Sequence, residues 1–352
     1  MAEIIIRTNG RGNAWPVLLG QQHPYYKNTS TDDLSNASFS VIKREEQSKE
    51  IEKELLIDAG HGTIQFLLKN QNRIPDAVVL THPHIDHTLS LDWLAQSHFR
   101  SKGMKYPVYA SRLCWDLCLQ FFPQLGRVVD FKELFPGKSF TIQEFPDIEL
   151  CFYPVFHGES ALGAGMIYIK HLYKSKTFKA LFTGDVLCPL FRQQDYVEIS
   201  DCDVVYADSN NRFPYPKSNH WSIASLENMG IKESDFFKDW MNEKGRFFSW
   251  LIRPNLPIEF NENIHGYFEN FLNDQLNHNN MTFTVINFVQ KIRAKNVNLI
   301  HYSGREDKVY NDSGTLDEIS LEKWVSELAN HLGLKSNFYT PKVGDEFIWV
   351  KT

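Results

Sequence analysis

The sequence predicts a mixed α/β fold, with layers of strand and helix rather than a helical bundle or a closed barrel. Three observations carry that prediction. Short apolar, β-branched runs alternate with segments of helical spacing along most of the chain. Several of those runs end on a histidine or aspartate beside Gly or Ser, as in CFYPVFHG, ALFTGD and VNLIHYS. The 352 residues, 42% hydrophobic and 23% charged, can bury a sizeable core in one large domain or two ordinary ones.

Three strands open the chain: EIIIR (3–7), ASFSVI (37–42) and ELLIDA (54–59). The Gly/Asn/Ser-rich stretch between the first two is expected to be a loop, in a position to line a site. KREEQSKE (43–50) reads as a solvated hairpin turn, and HGTIQFLLKN (61–70) has helical spacing. PDAVVL (75–80) is a buried-strand pattern that delivers the chain into THPHIDH (81–87), after which LSLDWLAQSHFRS is an amphipathic helix. The alternation continues with YPVYAS as strand and RLCWDLCLQFF as helix, then KSFTI, IELCFYPV, GMIYIK, KALFTGD and DVVYAD as strands. Residues 226–285 differ: they are aromatic-rich with helical spacing, and are expected to form a helical insertion, a lid or an interface. The helix TFTVINFVQKIRAKN, the strand VNLIHYS, the helix SLEKWVSELANHLGL and the strand DEFIWV complete the chain.

Charge and cysteine content narrow the function classes. Lys plus Arg total 37 against 43 for Asp plus Glu, a net charge of -6, which argues against a broad electrostatic footprint on nucleic acid. The start of the sequence shows no basic n-region and apolar h-region, and no stretch approaches about 18 uninterrupted apolar residues, so neither secretion nor a membrane span is expected. Five cysteines without a framework spacing fit reduced thiols in a cytoplasmic protein, with Cys114 and Cys118 as neighbouring buried thiols on a helix.

The segment THPHIDH concentrates three imidazoles and a carboxylate after a strand. Neutral imidazoles and carboxylates are zinc ligands at about 2.0–2.2 Å. Alternate residues of an extended segment share a face, so His82 and His84 can aim at one metal while Asp86 and His87 reach a second position. Each position would still need partners. His157, Asp185 and His301 are candidates, because each follows an apolar strand and can point out of a sheet edge into a shared cleft.

In this pattern, HxHxDH followed in order by a His, an Asp and a His, the sequence resembles the metallo-β-lactamase-fold superfamily. The resemblance runs from Asp58 in LLIDAG through His301 in IHYSG and covers essentially all of the chain except 226–285. It implies a single domain over 1–352, a four-layer αββα sandwich with a helical insertion and two divalent metal ions on one edge. It assigns His82, His84 and His157 to one ion, Asp86, His87 and His301 to the other, and Asp185 to both, with Asp58 orienting the motif loop. Zinc is the default metal, with manganese and iron as alternatives.

Within the superfamily, DAGHGTIQFLL and HYSG are similar to the tRNase Z and phosphodiesterase branch. VVYADSNN…SNHWSI resembles that branch's acidic strand end followed by an HST motif, with HWS for HST and Asp for Glu. On that likeness His220 is the general acid and Asp208 its orienting partner; the alternative is a loop histidine beside a packed Trp221. The implied mechanism is attack by a metal-bridging hydroxide, with Asp86 holding or deprotonating the water, and His220 protonating the departing alkoxide. His61 is expected only to make local hydrogen bonds. Residues 90–156 contain no long basic arm of the kind tRNase Z uses, so the expected substrate is smaller: a cyclic nucleotide, a short oligonucleotide or an RNA end.

Three alternatives stand beside the phosphodiesterase reading. The same site could hydrolyse a thioester, a lactone or another carboxyl derivative. A relation to the pyrroloquinoline quinone biosynthesis protein B would predict a lost HxHxDH, and the motif here is intact. A metal-stabilised binding protein is the non-enzymatic case, with the insertion recruiting a partner or forming a homodimer interface.

Overall fold

Two facing sheets organise the molecule, as seen in a computed structural model describing residues 2–14, 35–213, 219–230, 284–302 and 316–351. The insertion expected at 226–285 lies almost entirely outside the described residues, as does most of the loop expected between the first two strands.

The chain begins β1 (Ala2–Gly10), β2 (Ser38–Glu45), β3 (Ile51–Ile57), α1 (Thr63–Lys69), β4 (Ala77–Val79), α2 (Ile85–Thr88) and α3 (Leu91–Lys102). It continues β5 (Tyr106–Ala110), α4 (Arg112–Phe121), α5 (Leu125–Val128), β6 (Val129–Glu133), β7 (Ser139–Thr141), β8 (Glu149–Phe156), β9 (Gly165–Tyr173) and β10 (Lys176–Phe182). The remainder is β11 (Cys188–Pro189), α6 (Gln193–Glu198), β12 (Val204–Asp208), α7 (Val285–Ile292), β13 (Asn296–Ile300), α8 (Glu318–His331), β14 (Asn337–Tyr339) and β15 (Glu346–Lys351). One sheet runs β15-β1-β2-β3-β4-β5-β6, and the other β11-β8-β9-β10-β12-β13-β14 with β7 on β8.

Strand alternation produces the layers. On β3, Leu55 and Ile57 face the second sheet and Leu56 faces the helices. Ile4, Ile6 and Val41 meet Phe152, Ile167 and Phe182 between the sheets. Outside the first sheet, Leu56 and Leu80 pack on Leu91, Leu94 and Trp115 of α3 and α4. Outside the second, Tyr168, Leu181 and Val205 pack on Val289 and Phe288 of α7 and on Leu321 and Val325 of α8. The result is an αββα sandwich. Phe39, Phe182 and Tyr206 meet at its centre, with Phe39 and Phe182 rings 4.6 and 5.1 Å from that of Tyr206. Truncating such a residue to Ala typically costs about 3–5 kcal/mol.

The structure corrects the expected reading in a few places. KREEQSKE is not wholly a solvated turn: Lys43–Glu45 belong to β2, and buried Arg44 pairs with Glu3 at 2.7 Å and Glu346 at 2.7 Å. DEFIWV is the closing strand expected, and it pairs with β1 at the edge of the first sheet. Elements β6, β11, α6 and β14 are additional to those expected. All of residues 90–156 is described, and it forms the regular elements α3 to β8. No helix among the described residues is long and apolar enough to cross a membrane.

Direction matters most for the site. Strands β3, β4 and β5 are mutually parallel, as are β10, β12 and β13. β8 is antiparallel to β9 and β9 to β10, so β8 runs with β10. The carboxyl ends thus point one way within each sheet, and residues that follow β4, β8, β10 and β13 meet at one edge of the sandwich. His82 and Asp58 follow β4 and β3, while His157, Asp185 and His301 follow β8, β10 and β13.

Candidate metal centre

The strand-end residues converge. His82, His84, His157 and Asp185 each place a donor atom within 4.8 Å of the others. Asp86, His87, Asp185 and His301 do the same, and so do Asp185, Asp208, His220 and His301. Asp185 is common to all three groups. One oxygen, Oδ2, lies 3.6 Å from His82 Nε2 and 3.4 Å from His157 Nε2. The other, Oδ1, lies 3.2 Å from His87 Nε2 and 3.1 Å from His301 Nδ1.

Asp58 organises the contiguous motif. Its Oδ2 accepts the Nδ1–H of His87 at 2.7 Å and the hydroxyl of Thr81 at 2.6 Å, while Oδ1 accepts the Thr81 amide at 2.8 Å. With its proton given to Asp58, the Thr81 oxygen accepts from His82 Nδ1 at 3.1 Å. One carboxylate thereby sets two tautomers, and both rings turn Nε2 toward the centre. Asp58 sits in the left-handed region at φ 57, which a short polar residue tolerates. The loop behind it is tight: a Cβ on Gly60 would lie 1.8 Å from the Asp86 carbonyl oxygen. Ala59 N also donates to the His87 carbonyl at 2.8 Å.

The other residues are held one at a time. His84 contacts Ser160 Oγ through Nε2 at 3.0 Å, leaving Nδ1 to face His157 Nε2 at 3.3 Å. His157 donates Nδ1–H to the Asn219 carbonyl at 2.8 Å. His301 adopts φ 69, an unusual conformation for its residue type, and its amide donates to the Arg11 carbonyl at 2.7 Å. His61, by contrast, has an exposed side chain, and its backbone bonds Asn36.

His220 also reaches the centre. Its Nδ1 lies 2.7 Å from Asp208 Oδ2 and its Nε2 lies 3.8 Å from Asp185 Oδ2. Buried Asp208 is in turn held by the amides of Val186 at 2.9 Å and Asn210 at 3.2 Å. Trp221 is packed, but its indole N–H donates to the Asp208 carbonyl at 2.7 Å, which ties it to the same unit.

Electrostatics and unmet hydrogen bonds test the fit of a cation. Burial would raise the carboxyl of Asp185, but His301, His87 and His82 hold it well below its ordinary range. Burial, joined by the neighbouring imidazoles, drives His82 and His157 well down against the pull of Asp185. His87 goes well up, because Asp185, Asp58 and Asp86 outweigh its burial. For His220, burial would lower the value, yet Asp208 and Asp185 push it up to about 9. His82 Nε2, Asp185 Oδ1 and His301 Nδ1 are buried without a hydrogen-bond partner. Two orphaned imidazole nitrogens and an orphaned oxygen of the carboxylate beside them are costly unless something else satisfies them, and a mixed imidazole and carboxylate set suits divalent ions. The residues fit the group. Sequence pattern does not single out Thr81, Ser160 or Asn219, since each acts through a contact made by folding; only Thr81, next to His82, had a local signal.

Comparisons with known proteins agree with this architecture. Over 98% of this chain and 97% of the other, the structure is similar to a diphosphatase from the PhnP family, with TM-score 0.59 and 14% identity. It is similar to zinc-bound PqqB from Methylobacterium extorquens, with TM-score 0.53 and 12% identity over 99% of each chain. The short form of human tRNase Z matches with TM-score 0.50 and 12% identity over 100% of both chains. No curated protein matches by sequence. Residues 53–229 match the beta-lactamase superfamily domain, a span that contains His82 through His220, and the chain belongs to that superfamily.

Proposed function

We propose that the protein is a dinuclear metallohydrolase that cleaves a phosphodiester. The observation that carries this reading is the meeting of two donor groups at Asp185, with the Asp208–His220 pair directly beside them. His82, His84 and His157 would hold one divalent ion, Asp86, His87 and His301 the other, and Asp185 both. Zinc suits these donors, as do manganese and iron. Bound divalent ions supply Lewis acidity, which acidifies water toward pKa about 7 and neutralises phosphoryl charge.

The chain's own residues supply proton control. Asp208 accepts the Nδ1–H of His220 and so presents Nε2–H to the pocket. The buried Asp208 carboxylate, 2.7 Å from Nδ1, favours the protonated ring. On cleavage the departing alkoxide takes the proton from Nε2, leaving a neutral imidazole still bonded to Asp208. Asp86, less buried than its neighbour His87, orients the attacking water. A small or single-stranded substrate is supported by the net charge of -6 and by the regular packing of residues 90–156. Five free, buried thiols support a reducing, cytoplasmic setting. The 226–285 insertion remains our candidate for a lid or a homodimer interface.

Elemental analysis of the purified chain and a substrate panel test the reading. We expect about two divalent ions per chain and chelator-sensitive turnover of bis-p-nitrophenyl phosphate. Turnover of thioesters or lactones without diester cleavage would move the assignment to carboxyl hydrolysis. Bound metal with no hydrolysis of any class would favour a binding role.

A further inference from the structure

Asn219 belongs to none of the three donor groups, yet it grips His157 from two sides. Its main-chain carbonyl accepts His157 Nδ1–H at 2.8 Å. A carbonyl can only accept, so this bond settles the tautomer and leaves a lone pair on Nε2. The side-chain Nδ2 of Asn219 lies 3.4 Å from that same Nε2 and 3.4 Å from the His157 carbonyl oxygen. Both contacts are long for a hydrogen bond and therefore easily exchanged. A neutral, half-buried donor is thus parked against the atom His157 would offer to an ion.

A cation in the His82, His84, His157 and Asp185 group competes for that lone pair. Nδ2 would then keep only its long carbonyl contact and be available to a ligand oxygen. The next residue is His220, whose ring centroid stands 4.7 Å from that of His157. The amide therefore sits on the side from which the leaving group would be protonated. We propose that Asn219 Nδ2 donates to a non-bridging oxygen of the substrate's phosphoryl group, between His157 and His220. The inference rests on the phosphodiester reading and deepens it. A neutral donor matches a monoanionic diester, whereas a dianionic monoester is better met by Arg or Lys.

Asn219→Ala keeps the main-chain carbonyl and removes the side-chain amide, Nδ2 donor included. Metal content, calorimetric binding of inorganic phosphate and bis-p-nitrophenyl phosphate kinetics are measured on the metal-loaded protein. We expect unchanged metal stoichiometry, with phosphate affinity and kcat/KM each lower by about tenfold to a hundredfold. Asn219→Asp, nearly isosteric but an acceptor, should fall further, and Asn219→Ser should recover part of the loss. Wild-type phosphate affinity in Asn219→Ala, or loss of phosphate binding in step with loss of metal, overturns the proposal. If the wild type binds phosphate and Asn219→Ala does so more weakly, but no diester is cleaved, the donor role stands and the phosphodiesterase reading falls. If the wild type cleaves diesters and Asn219→Ala does so equally well, the reverse holds.

Discussion

His82, His84, Asp86 and His87 stand within six consecutive positions leading from β4 into α2, whereas His157, Asp185 and His301 each arrive from the end of a different strand. The contiguous half shares a single support, Asp58, which bonds His87 directly and His82 through Thr81. In the separate half the two histidines have different supports: the Asn219 carbonyl for His157, and the Arg11 carbonyl with a left-handed backbone for His301. A contiguous cluster concentrates its vulnerability in one carboxylate. A dispersed one spreads it over the registry of a whole sheet.

Breaking the point where the halves meet should have the largest effect. Asp185→Asn removes the charge that faces both donor groups, and we expect metal content to fall at both positions. Activity should drop by more than the 10²–10³ or so that one transition-state donor is worth; elemental analysis with kinetics checks both. A variant retaining two ions would show that the halves do not depend on Asp185.

Next in size is His220→Gln. We expect kcat to fall by about 10²–10⁴ on a diester with an alkoxide leaving group, with metal content unchanged. The deficit should shrink on p-nitrophenyl diesters, whose leaving group needs little protonation. Equal losses on both substrates would argue against proton donation.

Asp58→Asn sharpens the contrast between the halves. Because it disturbs two tautomers at once, metal affinity should fall about 10–100-fold, read by competition with a chromophoric chelator. Asp208→Asn, by comparison, should affect metal affinity less and lower kcat, since Asp208 lies 2.7 Å from His220 but 4.0 Å from His301. The smallest effect is expected from Gly60→Ala. Its Cβ would press on the Asp86 carbonyl, so the motif loop must shift, at about 0.5–3 kcal/mol in thermal or denaturant unfolding.

Much of this architecture is visible in local pattern. Apolar runs such as AVV and NVNLI became strands, and VINFVQKI and EISLEKWVSELANH became helices with Thr284 and Asp317 as N-caps. The elements that escaped are those without such a pattern. β6 reads VDFKE with most of its residues half-buried, α6 is six residues long, and β11 is two. Arg44 looked solvated because its neighbours are charged. Its burial depends on Glu346, 302 positions away, which arrives only when β15 pairs with β1.

What the sequence alone determined is the inventory: which segments are strands, the HxHxDH spacing, and the histidines and aspartates standing at strand ends. Those features are local, governed by side-chain periodicity and by the reach of one turn of backbone. Only the tertiary structure decided which strand ends share an edge, and which nitrogen of each ring turns inward. Ring orientation is set by hydrogen bonds from distant elements, such as Asp58 to His87 and Asn219 to His157, 29 and 62 positions apart. Partners at that separation meet through sheet register and packing, which no short window of sequence contains.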